Sequence, residues 1–210
     1  MKQKLAVIFL ILSVSLLLVQ PTVAKGNGKG KNTNTTPALT QQEELDLLQL
    51  RVEEKLARDV YLYLYDMWGQ WIFENIAESE QRHMDSVLNL LVKHNIPDPV
   101  GKDIPGVFQD KSMQNFYDDL ITEGSVSKVE ALRVGAKIED MDIFDIYEML
   151  THTEKNDLIN AYENLAKGSR NHLRAFVGQL EVFGEIYEAQ YLDPDEVDDI
   201  VNSPRETGRY

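Results

Sequence analysis

The chain of 210 residues contains no cysteine, and that absence removes three kinds of chemistry at once. Disulfides cannot staple it, thiolate metal sites cannot form, and there is no cysteine nucleophile. Positive charge is scarce as well, with 21 Lys and Arg against 35 Asp and Glu and a formal net charge of −14. Phosphate binding needs clustered basic residues, so nucleic acid is excluded as a partner. The acidity reads instead as a solvated surface that keeps the protein soluble. There is no Gly-x-Ser-x-Gly elbow for a serine hydrolase and no glycine loop to cradle a phosphate. No segment alternates polar and apolar residues with the period of a strand.

Long apolar runs are also missing, with one exception at the start. Lys2 and Lys4 precede an apolar stretch from Leu5 to Val19, and the segment that follows ends at Ala24 in a manner suited to signal-peptidase cleavage. The stretch is short for a membrane span. Residues 1–24 therefore read as a secretory signal peptide, with an uncleaved anchor as the alternative. The expected location is exported, periplasmic or extracellular, with no stable membrane anchor after cleavage. Without a cysteine at the cleavage site, no lipid anchor is indicated, and loss of Lys2 and Lys4 makes the mature chain more acidic still. Residues 25–40, rich in Gly, Lys, Asn and Thr, cannot bury enough apolar area to offset their ordering entropy and read as a flexible linker. About 170 residues remain, the size of one domain with a single core.

From Thr40 onward the apolar residues recur at steps of three and four, so the fold class is all-α. Thr40 to Glu43 has the form of a capping box that opens a first helix carrying Leu47, Leu50, Glu54, Ala57, Tyr61, Leu64 and Trp68 on one stripe, with Gly69 as its stop. A second helix runs from about Trp71 to Lys93 and is closed by Asn95 and Pro97. After a loop, a shorter helix spans Met113 to Ile121. Ser127 to Glu130 forms a second capping box and opens a helix whose inward row is Leu132, Ala136, Glu139, Ile143, Ile146 and Leu150. Thr153 then starts a helix with Leu158, Tyr162, Leu165, Ser169, His172, Phe176, Leu180 and Phe183 on one face. Four long amphipathic helices with a long connection between the second and third predict a four-helix bundle with one crossover, spanning residues 41–192. Residues 193–210 form a peripheral C-terminal tail with a short helix.

Polar residues interrupt these apolar stripes in matched places. Glu80 and His83 fall among Phe73, Ile76, Ala77, Val87, Leu88 and Leu91, where an unpaired carboxylate would be costly unless a cation or a proton compensates it. Three residues apart on a helix, they can reach one ion together. Glu54 interrupts the first helix, Glu139 the third long helix, and His172 the fourth, so each helical hairpin carries a carboxylate on one helix and a histidine on its partner. Carboxylate oxygen and neutral imidazole together suit iron, manganese or zinc.

These residues carry a resemblance. The stretches Glu54-Lys55-Leu56-Ala57 with Tyr61, Ala77 to His83, Gly135 to Glu139, and Gly168 to Leu173 are similar to the ferritin-like superfamily, and more closely to its uncharacterised DUF2202 family. The resemblance implies a ferritin-like four-helix bundle with one long crossover between helices two and three, binding metal through one Glu from each of two helices and Glu-x-x-His from each of the other two. It implies Glu54 and His83 on a first metal, Glu139 and His172 on a second, and Glu80 bridging, with redox activity on metal, oxygen or peroxide. The slot for a second bridging carboxylate holds Ser169, which leaves open whether the centre takes one ion or two, and whether there is an exogenous hydroxide bridge.

Bland readings stand beside these. Glu54 could belong to a solvated charge run with Glu53, Lys55 and Arg58; Glu80 and His83 to a metal-free hydrogen-bonded pair; and His172 to the class of satisfied core histidines. Glu139 could join an acidic face with Asp140 and Asp142, and Asp142 is the runner-up ligand or an outer acceptor. Tyr61, two turns from Glu54, is expected to pack, with a hydrogen bond to the site as the alternative; the Tyr61 to Trp71 aromatics are expected to fill core and hairpin corner, and Glu78, His94 and His152 to lie on the surface. The contrasting function is a non-enzymatic bundle with a vestigial metal site serving as a binding or structural module. Metal ions are the expected partners, and homo-oligomerisation is left open.

Overall fold

The computed structural model describes residues 38–208, and over them the chain is all-α. Six helices follow one another: α1 Gln41–Trp68, α2 Trp71–His94, α3 Lys111–Gly124, α4 Lys128–Thr151, α5 Asn156–Val182 and α6 Pro194–Asn202. The signal peptide read at 1–24 and nearly all of the linker read at 25–40 lie outside the described residues.

Local chemistry sets the helix ends. Thr40 Oγ1 accepts from the Glu43 backbone N–H at 3.1 Å while the Glu43 carboxylate accepts from the Thr40 N–H at 2.7 Å, a complete capping box worth about 1 kcal/mol. At α4 the Ser127 hydroxyl caps Glu130 N–H in the same way, but the Glu130 carboxylate turns to Arg133 at 3.5 Å. The turn after α1 needs a left-handed residue, and Gly69 supplies it at φ 63. Asn95 does the same after α2 at φ 60. The start of α5 differs from the sequence reading. Thr153 lies before the helix, its hydroxyl donates to Glu43 Oε1 at 2.6 Å, and the helix begins at Asn156.

Two helical hairpins, α1 with α2 and α4 with α5, meet through α1 against α4 and α2 against α5. Their apolar stripes form the core. At one end Leu47, Leu50, Val87, Leu91, Ile146, Leu158 and Tyr162 pack together, all with 0% exposure. At the other, α3 lies against the C-terminal part of α1 and the N-terminal part of α4, and the Trp68 indole N–H donates to the Gly124 carbonyl at 2.9 Å. Trp68 thus serves the hairpin corner, but Trp71 is 67% exposed and Phe183 is 48% exposed, contrary to the core positions expected of them.

The connection from α2 to α3 is fastened along α1 by charge. Arg51 pairs with Asp98 at 3.0 Å, Arg58 with Asp103 at 2.6 Å, Lys55 Nζ donates to the Ile104 carbonyl at 3.0 Å, and Asp59 accepts from Gly106 N–H at 2.9 Å. Lys55 also pairs with Asp59 and stands 4.3 Å above the Phe108 ring. The charge run around Glu54, expected to be solvated, is therefore covered: Glu53, Lys55, Arg58 and Asp59 are all buried. The C-terminal segment is anchored too. Helix α6 buries Val197 and Ile200 against α5, and Glu206 takes hydrogen bonds from Arg170 and Arg174.

Candidate metal centre

The four long helices bring Glu54 (α1), Glu80 and His83 (α2), Glu139 (α4) and His172 (α5) to one level of the core. They form two overlapping triads, Glu54–Glu80–His83 and Glu80–Glu139–His172, in each of which one ligand-type atom per residue lies within 4.8 Å of the others. Glu80 belongs to both. Its Oε2 stands 2.7 Å from His83 Nδ1 and its Oε1 stands 2.8 Å from His172 Nδ1. His83 Nδ1 is 3.2 Å from Glu54 Oε2, and His172 Nδ1 is 3.4 Å from Glu139 Oε2. The two imidazoles stack with ring centroids 5.6 Å apart. The three carboxylates are at most 1% exposed.

The short contacts around Glu80 lack hydrogen-bond alignment. Both its oxygens, together with Glu54 Oε1, Glu139 Oε2 and His172 Nδ1, are buried without a hydrogen-bond partner. Leaving a buried carboxylate unsatisfied costs several kcal/mol, so a cation or protons must compensate the group. The directions of the pKa shifts express the same competition. Burial opposes the His172 cation, but Glu80 and Glu139 outweigh it and bring the group up to about 9. His83 is raised well above the usual imidazole range against its own burial, by Glu80 and Glu54. Burial pushes Glu54 up to about 8 despite His83. Glu80 alone falls well below the carboxylate range, because two imidazoles overcome its desolvation.

Small residues make room for this arrangement. A Cβ on Gly168 would stand 2.5 Å from Cε1 and Nε2 of His83, and one on Gly135 would stand 2.5 Å from the Phe176 ring. Both glycines are in the stretches that carry the family resemblance, but their reason lies on other helices. Ser169, at 0% exposure, donates from Oγ to the Leu165 carbonyl at 3.3 Å.

Tyr61 does more than pack. Its hydroxyl donates to Glu139 Oε1 at 2.6 Å and lies 3.3 Å from the Gly135 carbonyl, while its ring packs 5.3 Å from Phe176. The favoured expectation of packing gives way to its alternative, because α1 and α4 pack closely enough to place the hydroxyl on the carboxylate. Asp142 belongs to neither triad, although both its oxygens are buried without partners. Glu78 is exposed as expected. His94 is not: its side chain is 4% exposed and held 2.8 Å from Asp157. His152 is exposed, as expected, and pairs with Asp46 at 2.9 Å, so neither histidine belongs to the centre.

The model of the family described as "Uncharacterized protein domain (DUF2202)" matches residues 43–204. This chain belongs to the DUF2202 family. The DUF2202 match extends past residue 192 to include α6, in keeping with the packing of that helix on α5. Uncharacterized protein MJ0754 of Methanocaldococcus jannaschii is 49% identical over 170 residues, covering 81% of this chain and 92% of that protein. The crystal structure of hypothetical protein MJ0754 from Methanococcus jannaschii superposes with a TM-score of 0.80 at 48% identity, covering 83% of this chain and 99% of that one.

Proposed function

We propose that this DUF2202 protein is a ferritin-like four-helix bundle whose core holds a centre for divalent transition metals. Glu54, Glu80 and His83 hold one position; Glu80, Glu139 and His172 hold the adjacent one. The observation that carries the reading is Glu80 itself. Its two orphaned oxygens each face a different imidazole nitrogen at short range, without forming a hydrogen bond to it. That is how a carboxylate stands when it is shared between two ions. Carboxylate and imidazole donors suit iron, manganese or zinc.

The residues around the donors have definable tasks. Tyr61 fixes the rotamer of Glu139 through its hydroxyl. Tyr61, Phe73 and Phe176 form a contiguous aromatic cluster that keeps water off one side of the centre. Binding requires neutral imidazoles and ionised carboxylates, so protons leave His83, His172 and Glu54 as metal enters. Redox-active ions bound there supply electron transfer toward oxygen or peroxide. Export through the residues 1–24 signal would place that chemistry outside the cytoplasm.

One observation favours a second reading, a metal-free ion cluster in a binding or structural module. Both imidazoles are held above their ordinary range and Glu80 below its own, directions that support protons standing in for cations. Metal analysis separates the two. Purified protein, stripped with chelator, remetallated with iron(II) or manganese(II) and desalted, is expected to retain metal in wild type and in Glu78→Ala. Glu80→Ala and His83→Ala are expected to lose most of it. Equal retention in all four proteins, or none in wild type, overturns the metal centre.

A further inference from the structure

Outside the two triads, acidic residues form a second row. On α4, Glu139, Asp142, Asp145 and Glu148 follow at steps of three. Each step of three turns the helix face by about 60°, so the row winds from the core toward solvent. Burial follows that course: Glu139 is 0% and Asp142 2% exposed, Asp145 is intermediate, and Glu148 is exposed. From α1, Glu53 joins the row, 1% exposed and in side-chain contact with Asp145. Asp142 stands in the field of Glu54, Glu139, Glu53 and Glu80.

The row has few hydrogen-bond partners, among them Gln49, whose Nε2 donates to Glu53 Oε1 at 2.8 Å. Both oxygens of Asp142 and Oε2 of Glu53 are buried with no hydrogen-bond partner. The basic residues of α1 are committed elsewhere, Arg51 to Asp98, Lys55 to Asp59, and Arg58 to Asp103 and Gln81. The strongest electrostatic neighbours of Glu53, Asp142 and Asp145 are other carboxylates. On the opposite side, between α2 and α5, the rings of His83 and His172 stack, with their side chains 13% and 11% exposed. The orphaned oxygens of Asp142 and Glu53 suit a dehydrating cation better than they suit a packed core.

We infer that divalent cations enter along the α1–α4 seam, taken up by Glu53 and Asp145 and passed by Asp142 to Glu54 and Glu139. This inference rests on the metal centre proposed above. The three seam residues speed entry, whereas the five centre residues set final occupancy.

Cobalt(II) alone, mixed with chelator-stripped protein in a stopped-flow spectrometer, reads the uptake rate from its ligand-field absorption. Final cobalt content is measured after prolonged incubation. Asp142→Asn and Glu53→Gln are each expected to slow uptake about tenfold, the lower end of what a charged path contributes to an on-rate, with final content unchanged. Glu78→Gln, on the exposed face of α2, should match wild type. Should either fully buried variant fail to fold by circular dichroism, half-buried Asp145→Asn carries the test, with an expected slowing of about threefold. Rates within twofold of wild type in the folded seam variants overturn the path while leaving the centre standing. Lowered final content in those variants overturns it too, since the residues would then hold metal rather than pass it. A wild type that takes up no cobalt overturns centre and path together.

Discussion

Gly168→Ala adds one methyl group, and the geometry fixes where that methyl must go. Its carbon would stand 2.5 Å from Cε1 and Nε2 of His83, a separation that forces the ring or the helix to move. The ring has little freedom to yield, because its Nδ1 lies between Glu80 Oε2 at 2.7 Å and Glu54 Oε2 at 3.2 Å. Two effects oppose each other. Replacing a mid-helix glycine by alanine stabilises by about 1 kcal/mol through propensity. Overpacking a filled core costs about 1–3 kcal/mol. Gly178 is the internal control: it lies in the same helix, and a Cβ there meets nothing within 4 Å. Gly178→Ala should therefore raise the thermal midpoint by roughly 2–4 °C, the shift expected per kcal/mol for a domain of this size. Subtracting the control removes the propensity gain, and Gly168→Ala should melt about 2–12 °C below Gly178→Ala. Differential scanning calorimetry of both stripped proteins measures this, and metal analysis should show lower occupancy in Gly168→Ala only. Equal stabilisation of both variants with unchanged metal content would refute the idea that Gly168 shapes the centre through His83.

Tyr61→Phe removes the hydroxyl that Glu139 accepts from at 2.6 Å. It should destabilise by about 1–3 kcal/mol in chemical denaturation and lower metal content; an unchanged midpoint and content would reduce Tyr61 to packing. Metal affinity should rise with pH from 6 to 9. His172, held up to about 9, and Glu54, held up to about 8, must give up protons on binding, so a flat isothermal-titration profile over that window counts against the assigned ligands. Acid stability runs in the same direction, rising with pH, but through groups whose pKa is lowered rather than raised. Glu206 is held down at about 2 by hydrogen bonds from Arg170 and Arg174, and Glu43 is held at about 2 by Lys155 and Thr153 against its burial. Their contribution is complete above the ordinary carboxylate range and disappears as pH falls through it toward 2. Glu206→Gln should flatten that limb in thermal melts recorded between pH 5 and 2, and an identical slope would deny the clamp its role.

The elements were legible because each rests on local chemistry. Apolar recurrence fixed the helices, Thr40 and Ser127 marked two starts, and Gly69 and Asn95 two stops. The five residues that the structure brings together stood out for a related reason: a carboxylate or histidine inside an apolar stripe contradicts the pattern around it, and the contradiction recurs on four helices. What escaped detection depends on distant partners. The burial of Lys55 and Arg58 comes from a segment 45 to 49 residues onward that runs along α1, and nothing within α1 announces it. The Tyr61 hydroxyl reaches Glu139 across 78 residues. For Glu53 and Asp142 a signal existed, since the carboxylates on α4 recur at steps of three, but neighbouring acidic residues made that row resemble a solvated face.

The asymmetry of the centre follows from the same long-range logic. The two hairpins match in offering a carboxylate on one helix and a histidine on the next, but α2 presents Glu80 with His83 where α5 presents Ser169 with His172. Beside Ser169, Gly168 leaves the space that the His83 ring fills. Ser169 turns its hydroxyl back to the Leu165 carbonyl. Glu80 is then the carboxylate shared by both histidines, one oxygen to each. A glutamate at 169 would have to enter a core where Gly168 has already given the His83 ring its space. Two divalent ions bound in the proposed centre would keep one positive charge against three carboxylates, which a small anion would balance.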